Sequence, residues 1–224
     1  MQLVIANKNY SSWSFRPWIA MKTLDIPFEE ILVPFGSPLG NPEFKHRLSA
    51  YTPVGLVPVL IDGDVHVWET LAIMEYLADK FPDKGIWPRD IKLRAAARAL
   101  ASEMHAGFSA LRNECPMNIR RPVRTREISP AAQANVARID AMWSECHAKN
   151  GGPFLFGKFC AVDAMYAPVV ARLDTYGLKV SREALGYMEA MMALPAWGEW
   201  RAAALQETWI VPEDEADWPT VLTA

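Results

Sequence analysis

The sequence predicts an α/β N-terminal domain followed by an all-α helical-bundle domain. Three observations carry that expectation. Short apolar runs at residues 3–6, 28–33, 57–61 and 65–68 read as strands, with helix-period segments between and after them. Beyond Ile91 no run has strand character, and apolar residues recur only at helical spacing. The change of pattern falls in a stretch bounded by Pro82 and Pro88, so the expected division is residues 1–81, a linker at 82–88, and residues 89–224.

Taken in order, Leu3-Val4-Ile5-Ala6 is a short apolar strand, and residues 7–12 are a polar turn leading into a helix marked by Trp18, Ile19, Met21 and Leu24. Residues 28–33 read as a second, buried strand. The intervening helix allows the two strands to lie parallel as a crossover unit. A Pro- and Gly-containing loop over 34–42 precedes a short helix near 43–48. Val57-Pro58-Val59-Leu60-Ile61 and Val65-His66-Val67-Trp68 are split by Asp62-Gly63-Asp64, a hairpin signal. A helix then runs over 70–80 with Leu71, Met74, Leu77 and Ala78 on one face, stopped by Pro82. Leu93, Ala97, Leu100, Met104, Phe108 and Leu111 suggest one helix over 91–115; Val136, Ile139 and Trp143, then Met165, Val169, Val170 and Leu173, mark later ones.

Composition narrows the class. With 51% hydrophobic and 22% charged residues the 224-residue chain has the balance of a folded globular protein. A net charge of −3 argues against a large nucleic-acid footprint. No apolar run approaches the ~18 residues of a membrane helix, and the first residues lack a secretory pattern, so the expected location is cytoplasmic. The three cysteines (Cys115, Cys146, Cys160) and four histidines (His46, His66, His105, His147) show no metal-ligand spacing, so no metal is expected.

The β-α-β-β-β-α order with proline opening the third strand resembles the thioredoxin fold. In such proteins the Val57–Pro58 bond is cis and turns the Val57 N–H and C=O outward, where an extended peptide can pair with them. Eleven residues on, Glu69-Thr70 stands at a strand–helix junction. A helix start offers free N–H groups to a carboxylate, Thr70 adds a hydroxyl, and Glu69 can accept from an ammonium. The run V-P-V-L-x-D-G…W-E-T-L-A-I-M-E-Y-L resembles the glutathione-binding half of cytosolic glutathione transferases. The segment Gly157-Lys158-Phe159-Cys160-Ala161-Val162-Asp163 resembles that family's G-x-x-[ST]-x-x-D capping box, with Cys160 in place of the hydroxyl.

Ser11-Ser12-Trp13-Ser14-Phe15-Arg16 resembles the S-S-C-S-W-R motif of zeta-class transferases, which include maleylacetoacetate isomerases. The resemblance makes Ser11 the catalytic serine, with Ser12 as its rival, donating to a glutathione thiolate at the helix start. Helix capping is the ordinary alternative for these serines. Trp13 replaces the zeta cysteine, and no cysteine precedes residue 115, so this domain cannot form a mixed disulfide through its own thiol. Leu56 stands where many relatives have lysine or glutamine.

Glutathione is thus the expected cosubstrate, held by Val57, Pro58, Glu69 and Thr70. If 91–115 is one helix, His105, Phe108, Ser109 and Arg112 share a face and line an electrophile pocket. Arg120, Arg121, Arg124 and Arg126 read as a solvated loop or a landing site for an acidic substrate. The tail over 213–224 either packs across the pocket or is disordered. The resemblance implies a homodimeric transferase acting on small electrophiles, a detoxification role; the alternatives are a zeta-like cis-trans isomerase of an unsaturated dicarboxylate, peroxide reduction, or a non-catalytic binding or protein-interaction module.

Overall fold

A computed structural model describes residues 1–36 and 41–217; residues 37–40 of the expected loop and residues 218–224 of the tail lie outside the described residues. The N-terminal part runs β1 (Gln2–Ile5), α1 (Ser12–Thr23), β2 (Glu29–Leu32), α2 (Pro42–Leu48), β3 (Val59–Asp62), β4 (Val65–Trp68) and α3 (Thr70–Lys80). The strands form one sheet in the order β2-β1-β3-β4, with β1 parallel to β2 and antiparallel to β3. The β3–β4 hairpin turns at Gly63, whose φ of +64° suits a residue without a side chain.

Period-two alternation builds two layers on this sheet. Leu3, Ile5 and Leu60 point to one face and join Phe15, Trp18 and Ile19 of α1 and Ile73, Met74 and Leu77 of α3. Val4, Ala6 and Val59 point to the other, against Phe44 and Leu48 of α2. One expectation fails here: β2 lies at the sheet edge, and among the described residues only its half-buried Ile31 packs against a core layer, so Glu29, Glu30 and Leu32 are exposed.

The second part contains α4 (Ile91–Ala106), α5 (Ser109–Glu114), α6 (Pro130–Asn150), α7 (Ala161–Thr175), α8 (Arg182–Met192) and α9 (Pro195–Gln206), then a short turn at Pro212–Asp214. α7 is the axis of this part; all but one of its residues are buried, and it packs against α1, α4 and α8. Asp163, fully buried, accepts from Cys160 N (2.9 Å) and Leu155 N (3.1 Å), so the carboxylate half of the expected capping box is present.

The single helix expected over 91–115 is broken. Gly107 ends α4, and Phe108 adopts left-handed backbone (φ 57°), so α5 starts afresh in a new direction. Spacing across residue 107 therefore no longer reports a shared face.

Candidate active site

Two adjoining cavities lie between the sheet domain and the helices, sharing Trp13, Leu56 and Val57. The first, about 270 Å³, is lined by Tyr10, Ser11 and Ser12 from the start of α1 and by Arg112, Arg172 and Asp214 from the helical part. The second, about 290 Å³, is lined by Val57, Pro58, Glu69, Thr70 and His105. Together they form a cleft with the serines at one end and the α3 start at the other.

At the α3 end the Val57 backbone and the Thr70 hydroxyl line the cleft without hydrogen-bond partners among the described residues. The Val57–Pro58 bond is cis, and the β3 ladder begins only at Val59, so Val57 N–H and C=O take no sheet bond. Glu69 sits at φ 70°, a conformation rare for a residue with a side chain, at the N-cap of α3. Thr70 is 1% exposed, and its hydroxyl is buried with no hydrogen-bond partner among the described residues. A buried orphan hydroxyl at a helix start costs about 1–3 kcal/mol unless a ligand meets it. His105 Nε2 lies 3.7 Å from Glu69; burial holds its pKa below the ordinary value despite that carboxylate, so neutral imidazole faces Glu69 at neutral pH.

At the other end, Ser11 caps α1: its hydroxyl accepts from Ser14 N (3.4 Å) and donates to Ser14 Oγ (2.7 Å). Ser12 opens the helix, lines the cavity, and has no side-chain hydrogen bond among the described residues. Tyr10 lines the same cavity but its hydroxyl is engaged, donating to Glu215 Oε1 at 2.5 Å; burial and that carboxylate push its pKa up to about 12.

Beside the serines stands a cluster of arginines. Arg16 is wholly buried, donates from Nε to Met165 O (3.1 Å), and has no hydrogen-bond partner among the described residues for either terminal nitrogen; it stacks 3.9 Å from the Trp13 ring centroid. Arg112 lies 4.9 Å from the same centroid. Arg172 donates from Nε to Cys115 O (2.9 Å). Burial, then mutual repulsion, pulls Arg16 well below its ordinary pKa and Arg172 down to about 10. The facing carboxylate, Asp214, is pushed up to about 6 by burial against the opposing pull of Arg172.

The structure thus brings Ser11, Ser12 and Arg112 to one cavity and Val57, Pro58, Glu69, Thr70 and His105 to the other. Phe108 and Ser109 line neither: Phe108 is buried in the core and Ser109 is exposed, because the break at Gly107 turns α5 away from the α4 face. The basic run is neither solvated loop nor landing site as a whole. Arg121 Nε donates to Asp217 (2.6 Å) and Arg126 Nη1 to Ala216 O (3.0 Å), so two of its arginines pin the tail, while Arg120 holds the segment before it through Trp209 O (2.6 Å). Of the two fates expected for the tail, residues 213–217 show packing, while Trp218 lies outside the described residues. Sequence reasoning missed Tyr10, Arg172 and Asp214. Arg172 had a usable signal, an arginine interrupting the apolar period of Val169, Val170 and Leu173.

A four-stranded mixed sheet whose third strand follows a cis-proline, joined to a helical bundle that closes a cleft over it, defines a thioredoxin-like domain carrying an all-α partner domain. Residues 10–80 match the model of the glutathione S-transferase N-terminal domain and residues 94–203 that of the C-terminal domain, and the chain belongs to the glutathione S-transferase family. It is 31% identical over 118 residues to glutathione S-transferase 1 of Dianthus caryophyllus, covering 53% of this chain and 51% of that protein. It is 34% identical over 103 residues to a probable maleylacetoacetate isomerase of Caenorhabditis elegans, covering 46% and 45%. The chain thus spans about half the length of these curated relatives. In fold it resembles a bacterial zeta-class maleyl pyruvate isomerase (TM-score 0.70, 21% identity, covering 93% of this chain and 100% of that one).

Proposed function

We propose that the protein is a glutathione transferase that binds glutathione along the cleft and activates its thiol for attack on a small electrophile. The observation that carries this is the pairing, in one cleft, of an unpartnered Thr70 hydroxyl at a helix start with a free Ser12 hydroxyl at another. The γ-glutamyl group fits the α3 end: its carboxylate meets the helix start and Thr70, its ammonium Glu69. The peptide backbone pairs with Val57. The thiol then reaches the start of α1, where hydroxyl donation and the helix dipole favour thiolate over a thiol of ordinary pKa about 8.5.

The geometry favours Ser12 over Ser11 as donor, because the Ser11 proton is committed to Ser14. The serine is a hydrogen-bond donor, and the nucleophile is the sulfur of the bound cosubstrate. None of the protein's cysteines competes: all three are buried, with Cys115 and Cys146 pushed up to about 11 by burial.

The second reading, isomerisation of an unsaturated dicarboxylate, is favoured by one specific observation. Arg16, Arg112 and Arg172 crowd the serine end, and among the described residues that line the pocket Asp214 is the one carboxylate, so the pocket has positive charge left for an acidic electrophile. A homodimer acting in the cytoplasm in detoxification completes the proposal. Among the described residues no helix is long and apolar enough to cross a membrane.

The test is steady-state kinetics with glutathione and two electrophiles, an activated chloroarene and an unsaturated dicarboxylic acid, in wild type, Ser11→Ala and Ser12→Ala. Turnover that collapses in Ser12→Ala supports the proposal. Absence of turnover with glutathione bound supports the non-catalytic module instead.

A further inference from the structure

The turn that presents the serines is held only in part by its own bonds. Within residues 7–12 the chain supplies Tyr10 N to Asn7 O (3.2 Å), Ser11 N to Asn7 O (2.8 Å) and Ser12 N to Tyr10 O (2.8 Å). The N–H groups of Lys8 and Asn9 instead go to the two carboxylate oxygens of Glu207, at 2.6 and 3.0 Å. Glu207 is the residue at which α9 ends, 199 positions along the chain from Lys8.

A second carboxylate from the same segment completes the hold. Glu215, 6% exposed, accepts from Tyr10 Oη (2.5 Å) and from Asn118 Nδ2 (2.9 Å). Asn118 in turn accepts from Asn9 Nδ2 (3.0 Å), and Arg120 reaches both Tyr10 Oη (2.8 Å) and Glu207 O (2.5 Å). The result is a closed circuit, buried at Asn9, Tyr10, Asn118 and Glu215 and half-buried at Lys8, Arg120 and Glu207, whose members touch residues 8, 9 and 10, immediately before Ser11. Buried polar circuits of this kind are costly when incomplete and rigid when complete.

We propose that Glu207 and Glu215 are positioning residues for the thiol-activating serines, so that the segment following α9 is a working part of the active site. This rests on the glutathione-thiol reading above. Neither carboxylate is placed among the reacting atoms. They act through Tyr10 and the turn backbone, and a displacement of the serine hydroxyl by about 1 Å is enough to cost on the order of 100-fold in rate. Asp217, by contrast, ties the same segment to Arg121 and Arg126 and touches nothing in the turn.

The experiment compares Glu215→Gln, Tyr10→Phe and Asp217→Asn with wild type, reading glutathione Kd, the pH profile of kcat/KM, and Tm. Glutamine keeps the shape of Glu215 but has one acceptor oxygen for two donors. Expected is a kcat lowered about 10-fold in Glu215→Gln and Tyr10→Phe with the acidic limb of the profile moved to higher pH, while Kd changes by less than about twofold. Added to Ser12→Ala, Glu215→Gln should cost almost nothing further, since the donor it positions is gone. Asp217→Asn should lower Tm and leave the profile in place.

If Asp217→Asn moves the profile as far as Glu215→Gln, or if the double variant loses activity additively, the carboxylates only stabilise the fold and the proposal is overturned. Should Glu215→Gln not fold, Tyr10→Phe alone carries the same comparison. A wild type that binds glutathione without any acidic limb between pH 5 and 8 is a separate outcome: it sinks the thiolate reading itself, before the positioning question arises.

Discussion

The two ends of the cleft are built in opposite ways. At the α3 end the groups proposed to hold glutathione come from a short stretch of chain, with Trp13 and His105 only adding to the wall: cis-Pro58, Glu69 and Thr70 lie within one β-hairpin and the helix that follows it. At the serine end, Ser11 and Ser12 lie in a turn held by Asn118, Arg120, Glu207 and Glu215, all from the helical part. The first end is an N-cap and a strand opening, both local devices; the second depends on contacts between residues 109 to 205 positions apart. Binding can therefore be local while activation depends on the whole chain, and substitutions should separate the two.

The largest effect is expected at Ser12→Ala. Removing a donor aimed at developing negative charge costs about 100-fold in kcat at the low end of measured cases, with glutathione affinity little changed. Ser11→Ala should lose less activity and about 1 kcal/mol of stability, because it removes the cap of α1; stopped-flow rates and chemical denaturation read the two losses separately. A Ser11→Ala that is the more crippled in rate would reverse the assignment of donor and cap.

Next in size, Thr70→Val and Glu69→Gln should weaken glutathione binding about tenfold, or roughly 1.4 kcal/mol, and leave the thiol chemistry of the bound fraction intact. Calorimetry decides this. A loss of rate without loss of affinity would erase the distinction between the ends.

A pH effect on the serine end follows from Asp214. Its carboxyl is raised to about 6, so between the ordinary carboxylate value and about 6 the folded chain holds a proton that the unfolded chain has released. Stability from this group is present at low pH and is lost as pH rises through that window. The same protonation strips the arginines of their facing carboxylate, so an acidic inhibitor such as a simple dicarboxylate should bind more tightly at pH 5 than at pH 7.5. Asp214→Asn should abolish that dependence.

The smallest effect is expected where α1 meets α9 at the surface. Lys22 and Glu199 pair at 2.6 Å, but with side chains 37% and 55% exposed the pair is screened by solvent. Lys22→Ala should cost under about 0.5 kcal/mol, against about 1–3 kcal/mol for Glu207→Ala, which strands two backbone N–H groups. Equal costs would mean that burial does not distinguish the two links.

This contrast also explains what could be read from the sequence. The strand order, the Asp-Gly hairpin, Pro58 and the Glu69-Thr70 junction were legible because each is a short-range pattern with its own physical signature. The helix break at Gly107 was not, since a glycine within an apolar period gives no sign that the next residue turns left-handed. It misplaced Phe108 and Ser109 with it. The exposure of β2 depended on which strand ended at the sheet edge, a matter of topology. Glu207, Glu215 and the tail-binding role of Arg121 and Arg126 were illegible, since a carboxylate after a helix and a basic loop look like solvated charge until the chain has folded them together.

The most direct test of the account is the ultraviolet titration of the bound thiol from pH 5 to 9 in wild type, Ser12→Ala and Glu215→Gln. The account predicts a bound-thiol pKa well below the free value of about 8.5 in wild type, a return toward that value in Ser12→Ala, and an intermediate position in Glu215→Gln. A wild-type thiol that titrates as it does free in solution, with glutathione bound, would contradict it.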